Sequence, residues 1–219
     1  MLIQADRLAV LRGGLRQGQE LIAQRHKAGA GGVFSFRHRL RAIRLSQGRE
    51  RAPAVQEHFK RFAAYNAWAN ARLYDAATAL TDFERKRDIK GYFTSLHGTL
   101  NHLLVADRIW LKRLTGTGEA PNTLGTILYE AFTELRDARE AEDERLSAFV
   151  GGLDDAAFGS TLAYTDTRGE AKALPVKVIL THLFNHQTHH RGQATQMLRQ
   201  LGVAEPPALD LLYFALPTS

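Results

Sequence analysis

From Val55 onward, apolar residues recur three and four apart, and a chain with that period is built from helices rather than strands. Phe59, Phe62, Asn66, Ala69 and Leu73 mark one face of a first helix from about 55 to 80. Leu80-Thr81-Asp82 stops it and supplies a fresh N-cap for a short helical turn to about Lys86. A second long helix is predicted from about Thr94 to Leu114, closed by Thr115-Gly116-Thr117-Gly118. A third is predicted from near Thr123 to Gly151-Gly152, and the alternating Glu and Arg between Glu130 and Arg145 belong on a solvated outer face. Asp166-Thr167-Arg168-Gly169, flanked by Leu162, Tyr164 and Leu174, reads as a small β-hairpin or an irregular loop. Pro175 opens a fourth long helix to about Gln200, with Gly202 just past its end. The apolar segment from Leu209 to Leu216 is expected to cover a bundle end or a partner subunit. These elements predict an all-α fold: a four-helix bundle with a long crossover that has room for a hairpin.

Charge separates the first quarter of the chain from the rest. Residues 1–54 hold 11 basic residues against 3 acidic ones, whereas the remainder holds 18 against 20, so the net +6 belongs to the N-terminal stretch. That stretch is rich in Arg and Gly and shows no sustained helical period. It is expected to be a basic extension, disordered or not native, preceding a helical domain over 55–219. Nucleic-acid binding would have to rest on this arm, and the near-neutral remainder argues against it. Asp6 and Arg7 interrupt the leading apolar residues, so a secretory signal is not expected, and no apolar run is long enough for a membrane span. Cysteine is absent, which rules out disulfides and thiolate metal ligands and suits a cytoplasmic protein. Any metal must be held by nitrogen and oxygen.

The fourth helix carries the segment Thr181-His182-Leu183-Phe184-Asn185-His186-Gln187-Thr188-His189-His190. At about 100° per residue, with His182 at 0°, Ile179, Leu183, Ala194, Met197 and Leu201 fall between about 60° and 120°, the core direction. His186 lies near about 40° and His190 near about 80°, while His189, at about 340°, points away. Two imidazoles one turn apart on the core side form a chelating pair, and a third ligand should come from the second helix. His97 and His102 flank its apolar face on opposite sides, and the helical wheel does not separate them; Ala106, one turn beyond His102, leaves room for an ion.

Three segments carry a family resemblance: Tyr65-Asn66-Ala67-Trp68-Ala69-Asn70, Thr99-Leu100-Asn101-His102 through Asp107-Arg108-Ile109-Trp110, and Phe184-Asn185-His186-Gln187-Thr188-His189-His190-Arg191-Gly192-Gln193. Together, and in this order, they resemble the DinB-like family of damage-inducible bacterial proteins from about Val55 to the C-terminus. The resemblance implies a four-helix bundle, often a homodimer, with a three-histidine metal site. Carried over motif by motif, the implied ligands are His102, His186 and His190. It also implies a metal-dependent transferase or hydrolase type of enzyme acting on a small molecule, such as a low-molecular-weight thiol, or a metal-binding stress protein without turnover.

Three neutral imidazoles with an open fourth position suit a divalent ion that activates a water or thiol, zinc or nickel foremost. Gln187 stands where an HExxH metalloprotease carries its glutamate, so proteolysis by that route is not expected. Asp107 sits near the centre of the second helix's apolar arc, where it is expected either to orient a ligating histidine or to bond a neighbouring helix. Gln193 and Asn66 are further candidates to support the site, Asn66 more as a link between helices. Tyr65 and Trp68 read as packing residues.

Overall fold

A computed structural model of the protein describes residues 55–216. The predicted extension over residues 1–54 lies outside the described residues, as does any role for it as a basic arm. In chain order the elements are α1 (Val55–Thr78), α2 (Asp82–Lys86), α3 (Leu96–Thr115), α4 (Phe132–Gly152), α5 (Asp155–Gly159), β1 (Thr161–Thr165), β2 (Ala171–Pro175), α6 (Val176–Gln200) and α7 (Leu211–Ala215). The four long helices form the predicted bundle: α1 packs on α4 and α6, and α3 packs on the same two helices. The hairpin is present, with Thr161 paired to Pro175 and Thr165 to Ala171 in antiparallel register. Among the described residues no helix is long and apolar enough to cross a membrane.

Local chemistry sets the boundaries. Thr81 caps α2 in a reciprocal box, accepting from the Glu84 backbone N–H while the Glu84 carboxylate accepts from Thr81 N–H. Ser95 accepts from Gly98 N–H at the start of α3, and Gly116 closes that helix in the left-handed conformation at φ 72°. The C-terminal tail packs on α1: Tyr65 Oη donates to Leu209 O at 2.6 Å, and Phe214 lies against the rings of Tyr65 and Trp68.

Two apolar clusters fill the bundle, one at each end. Leu73, Leu100, Leu104, Leu135 and Leu198 belong to one; Phe59, Leu111, Leu146, Leu183 and Phe184 belong to the other. Between them every long helix contributes buried polar groups: Asn66 and Asn70 from α1, Asp107 from α3, Arg139 and Asp143 from α4, and Gln187 and Arg191 from α6. Arg139 Nη1 meets Asp107 Oδ2 at 2.8 Å, and Nη2 donates to Asp143 Oδ1 at 3.0 Å. Asn66 and Asn70 each donate to Asp143 Oδ1 at 3.0 Å.

Two expectations are corrected here. The spacing predicts a third helix from near Thr123, but α4 starts at Phe132. Residues 123–131 are held non-helical because their backbone is bonded to α3: Asn101 Oδ1 accepts from the N–H groups of Leu128 and Tyr129. The second correction concerns the Glu/Arg run of α4, predicted to be a solvated face. Arg139 is 1% exposed, and Glu142 and Asp143 are buried with it. Partners supplied by two other helices, α1 and α3, compensate those charges, and a charge pattern along one helix carries no sign of them.

Candidate metal centre

The two middle turns of α6 place His186 and His190 one above the other, and α3 brings His102 against them. One nitrogen from each ring lies within 4.8 Å of the others. His102 Nε2 is 3.2 Å from His186 Nε2 and 3.2 Å from His190 Nε2. The opposite edges of two rings are fixed. His102 Nδ1 is 2.9 Å from the Leu124 carbonyl oxygen, which can only accept, so Nδ1 carries the proton. His190 Nδ1 lies 2.7 Å from Gln193 Oε1, and the Gln193 amide nitrogen faces His189 Nε2 at 3.2 Å. His102 and His190 therefore turn unprotonated Nε2 atoms toward one another and toward His186.

This donor set fits a divalent ion. Metal–nitrogen bonds of about 2.0–2.1 Å in tetrahedral coordination space the nitrogens about 3.3–3.4 Å apart, close to the two separations of 3.2 Å from His102 Nε2. The charge state agrees. Burial pushes the His102 imidazole down to about 4 and the His186 imidazole down to about 3, and it lowers His190 as well, against the pull of Gln193. All three are neutral at pH 7, as imidazole ligands must be.

Of the two α3 candidates, His97 is not part of this cluster. Its Nε2 bonds the Tyr129 carbonyl oxygen at 2.9 Å, on the side where α3 meets the crossover. Gln193 does contact a ring of the cluster, His190. Asp107 bonds elsewhere: Gln187 Nε2 donates to its Oδ1 at 2.6 Å and Arg139 pairs with Oδ2. Asn66 likewise joins the polar layer, donating to Asp143 and accepting from Arg191 Nη1.

Two contributors lie outside the spacing patterns. Phe93 stacks on His102, with ring centroids 3.8 Å apart, and meets His190 edge-on. The turn before α3 aims it there through bonds from Ile89 N–H to Thr94 O and from Thr94 N–H to Gly91 O. Thr94 takes φ 61°, a conformation that costs a β-branched residue free energy. Gly98 permits the approach, since a Cβ at that position would lie 2.2 Å from Phe93 O. The other contributor is the Leu124 carbonyl, a backbone atom with no signature in the sequence. The nearest legible signal for Phe93 is its place just ahead of the Ser95 cap.

Residues 55–217 match the family model described as the DinB family. Protein DinB of Bacillus subtilis (strain 168) is 30% identical over 156 residues, covering 68% of this chain and 89% of that protein. The crystal structure of a DinB-like protein from Bacillus cereus ATCC 10987 aligns with a TM-score of 0.56 at 22% identity, covering 69% of this chain and 95% of that one. At that identity the structural likeness speaks to the fold.

Proposed function

This chain belongs to the DinB family, and from that premise we propose that it is a metal-dependent enzyme of transferase or hydrolase type. In this reading His102, His186 and His190 hold one divalent ion, zinc or nickel, and the nucleophile is a low-molecular-weight thiol or water. The observation that carries the reading is the convergence of three imidazole nitrogens, two of them made acceptors by the bonds on their far edges.

An ion in such a site lowers the pKa of a coordinated thiol or water and polarises a substrate oxygen. The chain's own residues prepare the place. The Leu124 carbonyl and the Gln193 amide fix ring tautomer and orientation, the role outer partners of ligating histidines generally play. Burial keeps the rings neutral, and Phe93 covers one face of His102. Gln187 is turned inward, donating to Leu103 O and Asp107, so the glutamate base of an HExxH protease has no counterpart here.

The test is elemental analysis of the native protein beside a His186→Ala variant, with a screen of thiols against electrophilic and hydrolysable substrates before and after chelation. The expected result is metal in the native protein, its loss in the variant, and turnover that chelation removes and added metal restores. Equal metal content in the two proteins would overturn the site. A full metal complement with no turnover across the screen favours a non-catalytic metal-binding protein.

A further inference from the structure

We propose that the groove between α1 and α6, on the side of α6 away from the histidines, binds a small carboxylic acid with an apolar body. With His186 at 0° and about 100° per residue, His190 falls at about 40°, whereas Thr188, Arg191, Gly192 and Thr195 fall between about 140° and 240°. The groove is therefore a second site, independent of the metal reading.

Its shape is that of a ligand pocket. The groove has a volume of about 680 Å³, within the range of about 300–1,000 Å³ usual for small-molecule sites. Phe59, Phe62 and Phe184 form an aromatic wall, with centroids of the outer two 6.3 and 5.8 Å from Phe184, and Leu209 lines the groove with them. Such a wall takes an alkyl or aryl body.

The polar end is Arg191. It lines the groove yet is only 2% exposed. Among the described residues no carboxylate oxygen lies within 4.0 Å of its guanidinium, Asp210 (the one acid lining the groove) included. Nη1 donates to the amide oxygens of Asn66 and Asn70, Nη2 reaches Thr188 Oγ1 at 3.4 Å, and Nε has no partner. A buried guanidinium with a free donor favours an anionic acceptor, and a carboxylate matches its planar fork. Thr188 Oγ1, whose own proton goes to Phe184 O at 3.0 Å, accepts from Nη2 and so braces the guanidinium beside the groove.

Gly192 supplies an independent observation. Glycine inside a helix is unfavourable relative to alanine. A Cβ at position 192 would meet no heavy atom within 4 Å, so packing within the described residues does not require a glycine there. Its missing side chain leaves the groove open one residue from Arg191.

Calorimetric titration of the full chain with sodium octanoate and with 1-octanol tests the site, in metal-loaded and metal-stripped protein. The expected result is saturable 1:1 binding of octanoate in both forms, at least tenfold tighter than octanol. Gly192→Leu should weaken octanoate at least tenfold while keeping metal content and a melting temperature no lower than the parent's. Thr188→Val should weaken octanoate more than octanol. Absence of saturable binding, equal affinity for acid and alcohol, or indifference to Gly192→Leu would each overturn the proposal. Sedimentation in which Gly192→Leu converts a dimer to a monomer, with octanoate failing to compete, would assign the groove to a second copy of this chain and overturn it equally.

Discussion

His102 Nε2 and His190 Nε2 face each other at 3.2 Å although both rings have already committed their Nδ1 protons to oxygen acceptors. Two lone pairs at that distance repel, and a cation between them removes the repulsion. The rings cannot drift apart easily. α3 and α6 are clamped by the apolar cluster at each end of the bundle and by the Gln187 bonds to Leu103 O and Asp107 between them. The bundle therefore holds the imidazoles close in a geometry that favours a bound ion.

Gln193 is expected to tune that binding. Gln193→Leu removes the acceptor of the His190 Nδ1 proton, freeing the ring to turn and its proton to change nitrogen. Loss of such a partner typically weakens metal binding about 10–100-fold. Competition against a chelator of known affinity measures this, with His97→Ala as the control that keeps native affinity because His97 faces Tyr129 O. An unchanged affinity in Gln193→Leu would remove the residue from the site.

The lowered imidazole pKa values also fix the sign of a pH effect on the metal-free protein. In the unfolded chain these histidines take up protons as pH falls through about 6.5, whereas in the folded chain His102 waits until about 4 and His186 until about 3. Between those limits the unfolded state binds more protons, so stability falls with falling pH. Urea unfolding of chelator-treated protein at pH 7.5 and pH 5 should show a loss that is smaller in His186→Leu, where one such group is gone. A variant that loses as much as the parent would show that other groups dominate the slope.

The clustered histidines of α6 were legible because helix period and histidine spacing act within one element: His186 and His190 sit on the core side of their own wheel. His102 needed the family resemblance, because the wheel left it level with His97 and the deciding atoms are backbone carbonyls of the crossover, Leu124 for one and Tyr129 for the other. A side chain of another helix hid the late start of α4: Asn101 of α3 holds the N–H groups of Leu128 and Tyr129. The buried state of Arg139 and Asp143 was illegible for a related reason: they pair with each other on α4, but the groups that complete the layer, Asp107, Asn66 and Asn70, come from other helices. What one helix does with its own residues could be read from spacing; what it does with another helix's side chains or a loop's backbone could not.

Gly98 sets two effects against each other. Alanine inside a helix is favoured over glycine by about 0.5–1 kcal/mol. The new Cβ, however, would lie 2.2 Å from Phe93 O, a backbone atom held by the turn before α3. Such overpacking typically costs about 1–3 kcal/mol, so Gly98→Ala should destabilise the protein in chemical denaturation despite its better helix propensity. It should also lower metal affinity, because Phe93 is pushed off the His102 ring. A variant more stable than the parent would mean that the turn yields freely and exerts no control over Phe93.

The pair Arg139–Asp107 offers the sharpest test of the polar layer. Both residues are 1% exposed, and the arginine also holds Asp143. Arg139→Met leaves two carboxylates buried without their cation, which should cost about 3–5 kcal/mol. Asp107→Asn alone should also destabilise, since the guanidinium loses an anion, although the asparagine amide oxygen can still accept from Gln187. Combined, the two changes should be far less than additive. With Arg139 gone, neutralising Asp107 removes a penalty, so the second substitution reverses sign between the two backgrounds. Additive unfolding free energies in the double-mutant cycle would show that Asp107 and Arg139 do not act as a pair, and that the carboxylate owes its place to the Gln187 bond instead.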